Sequence, residues 1–430
     1  MEIDSGNTAW ILTSAALVLL MTPGLAFFYG GMSRAKSVLN MMMMSFVSMS
    51  IVSMVWVLWG YSVAFGSEGG VPAFFGGLDA WGLVGLEAEG DGYPALAFVA
   101  FQATFAIITV ALISGAIADR TKFTTWCVFV PIWITLVYLP IAHSVWFAEG
   151  WIFKLGALDF AGGTVVHINA GCAALALALV LGKRKGWPKE PMRPHNLPFV
   201  LLGAGLLWFG WFGFNAGSAL AANETASLAF INTIVATGAA GFGWIVVEKM
   251  RDGAATTLGI ASGIVAGLVA ITPAAATMTP VGALVLGLVA GAICAVAVSL
   301  KYKLGYDDSL DVVGVHLVGG IIGALAIGVW GSAALGADSL LSAGSASLLG
   351  KQAIAIGATL VYSFVVTFII GKVLDMTMGF RVDEEAEVTG IDIVEHAESA
   401  YDLNTSSSSG LSGSSAAPIA ADTTKVEADA

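Results

Sequence analysis

The chain has 430 residues, of which 57% are hydrophobic and only 11% charged, with 53 glycines and a mean hydropathy of +0.86. This composition excludes an ordinary soluble domain and fits a polytopic membrane protein with no nucleic-acid partner, because glycine enrichment is expected where helices pack closely in lipid. The formal charge of −12 is no guide to a partner: residues 381–430 hold eleven Asp/Glu against Arg381 and Lys425, so the acidity belongs to the tail.

Runs long enough to cross a hydrocarbon core of about 30 Å fall near 8–30, 38–65, 94–118, 123–146, 160–182, 197–220, 226–248, 254–272, 279–300, 312–335 and 350–374. The reading is therefore an all-α protein with eleven transmembrane helices. Sixteen of the eighteen basic residues lie in alternate loops or in the tail, with Lys154 and Lys351 on the other side. The positive-inside rule then places the N-terminus outside and the C-terminus in the cytoplasm. No basic segment precedes the first span, so that span is expected to be retained rather than removed as a signal peptide. Cys127, Cys172 and Cys294 lie in apolar runs with no CxxC spacing, which points to packing rather than a disulfide framework or a metal site.

Two segments repeat. Asp159 precedes His167 by eight residues in "DFAGGTVVHINAG", and Asp308 precedes His316 by eight in "DSLDVVGVHLVGG". These open the fifth and tenth spans, which enter from opposite faces, so the pattern fits two inverted five-helix halves with the eleventh helix outside the repeat. "TPGLAFFYGG" in the first span and "WFGWFGFNAGS" in the sixth hold corresponding places. Eight helical residues rise about 12 Å, which brings both imidazoles from opposite faces toward the midplane. Either histidine alone reads more readily as a structural residue bonded to a neighbouring helix. The symmetric pair reads as functional, because ionisable groups at that depth need a partner or a cavity. Asp159 and Asp308 stand where carboxylates cap free N–H groups, and Asp159 could also orient nearby carbonyls and favour a cation at the outer face.

"DFAGGTVVHINAG", "FQATFAIITVALISGAIADR", "LLWFGWFGFNAGSALAANE", "DDSLDVVGVHLVGGIIGALAIGVW" and "GFRVDEEAEVTGIDIVEHAESAY" resemble the ammonium transporter family (Amt/Mep/Rh), most closely its bacterial and archaeal Amt branch, in colinear order over roughly residues 7–402. The resemblance implies a homotrimer with a separate pore through each subunit, conduction of ammonium or ammonia with methylammonium as analogue, and no cofactor. It places Trp146 in an outer cation vestibule with the Ser218 hydroxyl, assigns Phe105 and Phe214 to paired rings that close the pore beneath, makes Trp211 a pore-lining aromatic, and matches His167 and His316 to a pore histidine pair. Outside the resemblance, a tryptophan at a membrane face is usually a belt residue, and phenylalanines at helical spacing are usually core.

The chemistry is consistent with the resemblance. Ammonium matches potassium in charge and size but donates four hydrogen bonds and can lose a proton. A π face and a hydroxyl acceptor would concentrate it, while a narrow apolar pore makes passage of the intact ion expensive. Imidazoles titrate near neutrality and can relay the proton.

By resemblance the chain divides into a membrane domain at 1–378, a cytoplasmic regulatory region at 379–402 that packs beneath the pores and couples subunits, and a Ser/Ala-rich tail at 403–430 that reads as disordered. In some relatives a PII-type nitrogen signal protein shuts the pore, and the basic loops at 183–193 and 301–303 would offer complementary charge to an acidic partner. Other readings are an ammonium sensor acting through such a partner and a channel for another small neutral solute. An enzyme fits least, since no nucleophile with an adjacent base stands out.

Overall fold

The computed structural model describes residues 2–86, 90 and 92–401. Among them there is no β-sheet, and eleven helices are long and apolar enough to span a membrane. They are α1 (Ser5–Met32), α2 (Val38–Phe65), α3 (Ala95–Ile117), α4 (Phe123–Leu155), α5 (Gly163–Leu181), α6 (Leu197–Gly217), α7 (Glu224–Asp252), α8 (Thr257–Ala274), α9 (Pro280–Leu304), α10 (Val313–Trp330) and α11 (Ser347–Met378).

The boundaries differ from the expected ones in two informative places. α4 is interrupted at 147–150 and resumes as a short turn, Trp151–Leu155. α10 stops at Trp330 rather than 335, because Gly331 turns extended and Ala333–Leu335 forms a separate tight turn.

Small residues set the packing. α1 lies against α6 so closely that a Cβ on Gly203 would come within 2.3 Å of the Phe28 backbone nitrogen. α5 and α10 cross in the same way, with Gly171 facing the backbone of Leu317, where a Cβ would approach to 2.5 Å. Such contacts let helices associate through van der Waals packing where lipid gives no hydrophobic drive. The second contact places the residues beside Leu317, including His316, against α5.

The span between each aspartate and its histidine is not a regular α-helix. α5 and α10 both begin with wide π turns, Gly163–Ile168 and Val313–Leu317, and each of these turns contains the histidine. The shared irregularity at the same place in both halves is the structural counterpart of the sequence repeat.

One face of the bundle is held by buried ions. Arg184 reaches Asp307 with Nε (2.9 Å) and Nη2 (2.8 Å) and Asp119 with Nη1 (3.1 Å), while Arg34 pairs with Asp119 at 3.2 Å. Burial pushes the Asp307 carboxyl up, but its hydrogen bonds from Arg184 outweigh this and hold it below the usual carboxylate range. Arg184 and Lys301 are only 4% and 7% exposed, and Lys185 pairs with Glu384. Of the seven basic residues expected to meet a partner at 183–193 and 301–303, three, Arg184, Lys185 and Lys301, are therefore paired with carboxylates of the chain itself.

On this face lie two short helices, α12 (Glu384–Thr389) and α13 (Ile391–His396). Asp392 accepts from the N–H groups of Leu39 (3.0 Å) and Asn40 (2.8 Å) at the start of α2, and Glu387 accepts from the Lys185 N–H at 2.6 Å. The segment at 403–430 lies outside the described residues.

Candidate functional site

At the entrance to α5 the Asp159 carboxylate turns inward onto four backbone N–H groups. Oδ1 accepts from Gly162 (3.0 Å) and Gly163 (2.6 Å), and Oδ2 from Thr164 (2.9 Å) and Val165 (3.0 Å). Gly162, at φ 109°, makes the reversal that brings these N–H groups together. Enclosure pushes the Asp159 carboxyl above its ordinary range, and the four hydrogen bonds offset only part of that rise.

The backbone carbonyl of Asp159 accepts from Trp146 Nε1 at 3.0 Å, so the cap also fixes the indole at the end of the long helical part of α4. In the other half Asp308 accepts from Val312 (3.1 Å) and Val313 (2.7 Å) on the face that carries the ion network. Here burial lifts the carboxyl to about 6 despite the nearby Lys301 ammonium.

From Trp146 a file of rings runs inward. Phe105 meets Trp146 edge-on at 5.8 Å and stacks on Phe214 at 4.2 Å and 26°. Phe214 lies 6.0 Å from His167, whose other neighbours are the Trp211 ring at 5.3 Å and 17° and the His316 ring at 5.4 Å. The two Nδ1 atoms are 3.3 Å apart. Trp211 is anchored by donating to Thr272 Oγ1 at 2.8 Å, and Thr272 donates to the Leu268 carbonyl. Phe105, Phe214, Trp211 and both histidines are at most 3% exposed.

The stacked phenylalanines divide two spaces. On the Trp146 side a cavity of about 150 Å³ is lined by Trp146, Phe105, Ser218, Phe101, Gln102, Phe65, Phe98, Phe160 and Leu220. On the other side a space of about 10 Å³, the room one water needs, is lined by both histidines, Trp211, Phe214 and aliphatic groups such as Leu112 and Val265. Ser218 donates to the Phe214 carbonyl at 2.8 Å, which leaves its lone pairs available at the cavity.

The sequence profile of the Ammonium Transporter Family matches residues 9–401. The chain belongs to the ammonium transporter family. An ammonium transporter from Mycobacterium tuberculosis is 54% identical, over 95% of this chain and 92% of that protein. The crystal structure of Candida albicans Mep2 superposes with a TM-score of 0.84 at 34% identity, covering 89% and 87% of the two chains. A structure described as a sensor Amt protein matches with a TM-score of 0.85 at 29% identity, over 91% and 98%. The chain is thus a multi-pass membrane transporter of the ammonium family and not an enzyme.

Against this family background, the eight residues singled out in the sequence fall into one connected file and its cap. Asp159 does not face the cavity with its carboxylate; it acts on Trp146 through its backbone. Sequence reading missed Phe98, Phe101 and Gln102, which join Phe105 at spacing i, i+3, i+4, i+7 on one face of α3. That stripe was available as a signal. Thr272, which holds Trp211 from a different helix, carries no such signal.

Proposed function

We propose that the chain moves ammonium across the membrane by concentrating the cation in the Trp146 cavity and passing its nitrogen as ammonia along the apolar file between the histidines, the proton either returning to the solution on the Trp146 side or being relayed over the histidine pair. The observation that carries this reading is the contact sequence Trp146, Phe105, Phe214, His167, His316. An aromatic chamber adjoins a ring pair in van der Waals contact, and beyond it lies a narrow, mostly apolar space lined by both imidazoles.

Trp146 and Phe105 present π faces to a cation and Ser218 presents an oxygen. The rings exclude water, so a charged ion would cross without compensation for its lost hydration, a cost that neutral ammonia largely escapes. One shared proton between the two Nδ1 atoms requires one ring to donate and the other to accept. The rings then offer opposite hydrogen-bonding character at their Nε2 atoms, one acceptor and one donor, which suits ammonia as both donor and acceptor.

The remaining elements follow the family resemblance. The transport unit is residues 1–378, acting as a homotrimer with one pore per subunit, the N-terminus outside and the C-terminus cytoplasmic. The region at 379–402 regulates it, with a PII-type nitrogen signal protein as the partner class. Uptake of labelled methylammonium into vesicles containing the purified protein tests the reading. Saturable uptake that ammonium inhibits supports it, and binding of ammonium without uptake overturns it. The latter result would favour the sensor reading, which rests on the likeness to the sensor Amt protein.

A further inference from the structure

Gln102 contributes an amide to a chamber otherwise walled by rings. It lies on α3 between Phe101 and Phe105, is 9% exposed, and lines the cavity with Trp146 and Ser218. Its Oε1 is buried and has no hydrogen-bond partner. Leaving such an oxygen unpaired costs about 1–3 kcal/mol, so a residue of this kind in a well-packed helix needs an explanation. Its neighbour Thr104 spends its O–H on the Phe101 carbonyl at 2.6 Å and has none left for the amide oxygen.

Ser218 carries the other side-chain oxygen among the lining residues, and one hydroxyl satisfies a single N–H of a tetrahedral donor. A cation with several N–H groups that sits against the indole face has donors left over. The terminal torsion of glutamine is broad and roughly two-fold, so the oxygen can turn toward a donor arriving in the chamber.

We propose that Gln102 Oε1 is a second hydrogen-bond acceptor for the N–H groups of the bound cation, and that it sets how tightly this site holds ammonium and primary alkylammonium ions. The proposal rests on the vestibule reading above and adds a specificity-determining residue to it.

The test compares Gln102→Leu, Gln102→Glu and Trp146→Leu in methylammonium uptake by proteoliposomes near neutral pH, with ammonium as competitor. Gln102→Leu should raise the half-saturation concentration about tenfold, the size of one hydrogen bond to a charged donor, with the maximal rate within about twofold. Gln102→Glu keeps an acceptor and should hold the half-saturation at or below the original value. A side chain needed only for packing, or for holding cavity water, reverses this order: leucine is then the milder change and glutamate the harmful one. That reversal, or an unchanged half-saturation in a folded Gln102→Leu protein, overturns the proposal. Trp146→Leu separates the two layers: if it raises half-saturation while Gln102→Leu does not, the vestibule reading stands and the role of Gln102 falls. If Trp146→Leu changes nothing, the vestibule reading itself fails.

Discussion

The Nδ1 atoms of His167 and His316 stand 3.3 Å apart, so one neutral imidazole donates its Nδ1–H and the other accepts it. The Nε2 of His167 is buried with no protein partner and its ring lines the narrow space past the phenylalanines. A neutral pair suits a neutral species. Replacing His316 by Glu puts a carboxylate there, which favours a cation. In reconstituted membranes, potassium current through His316→Glu should rise at least about tenfold above the parent, given the cost that an uncompensated ion otherwise meets. A folded, inserted variant with no added current would overturn the deprotonation reading.

Phe214 is fully buried and stacked on Phe105, whereas Phe209 on the same helix is 56% exposed at the outer surface of the bundle. Removing the Phe214 ring joins the two spaces and lets water enter. Phe214→Ala should therefore alter methylammonium uptake at least about fivefold, because it removes the apolar barrier that discriminates charge, while Phe209→Ala should change it less than about twofold. Equal, small effects of the two substitutions would remove the gate from Phe214.

Asp159 links backbone capping to the position of Trp146. Asp159→Ala leaves four N–H groups without their acceptor and loosens the carbonyl that holds the indole. It should destabilise the protein by about 2–4 kcal/mol, in the range of a broken buried hydrogen-bond network. Asp159→Asn, which keeps one good acceptor, should cost less. Thermal unfolding in detergent measures this. Equal melting of the parent and Asp159→Ala would show that the cap carries no weight.

How much of this was legible beforehand depends on the distance over which each feature is encoded. The spans and their number follow from local composition, and His167 and His316 from a spacing repeated within a few residues. The π turns that contain both histidines were not legible, because a π turn and an α turn share one apolar pattern; in α5 the first N–H groups go to the Asp159 side chain and the His167 N–H reaches back five residues to the Gly162 carbonyl. The Thr272 support for Trp211 and the Arg184 contacts with Asp119 and Asp307 join residues from separate loops and helices, which no local pattern records. The same lack hid the neutralisation of Arg184 and Lys301, whose charges read from sequence as available to a partner.

Asp308 gives the tail-side half a pH signature. Its carboxyl is held at about 6 by burial, against an ordinary value of 3.8. Between these values the folded protein retains a proton that the unfolded chain has released, so stability is greatest at the acidic end of the window and falls as pH rises through it, levelling above the folded value. The decline attributable to this group should be on the order of 3 kcal/mol. Melting temperatures of the parent and Asp308→Asn between pH 4 and 7 should converge or cross, with the flatter profile in Asp308→Asn. Parallel profiles would assign the pH dependence elsewhere.

Among the described residues, the tail is tied to the membrane domain from Arg381 to Tyr401. Asp392 caps the start of α2 at Leu39 and Asn40, Glu395 accepts from the Phe123 N–H at 2.9 Å, Glu387 receives Lys185 N–H and Arg381, and Tyr401 meets His195 at 2.9 Å. These bonds tie α12 and α13 to three separate loops on one face. Truncation before Gly379 removes them all, and should lower uptake and the melting temperature together. Truncation after Tyr401 keeps every one and should leave both nearly unchanged. Asp392→Ala lies between the two cuts, since it removes only the α2 cap, worth about 1 kcal/mol as such caps go. A graded order of effects, largest for the first truncation and smallest for the second, would locate the tail's action in these contacts. If both truncations behave alike in uptake, the segment at 379–401 is a solvated appendage and its docking has no bearing on transport.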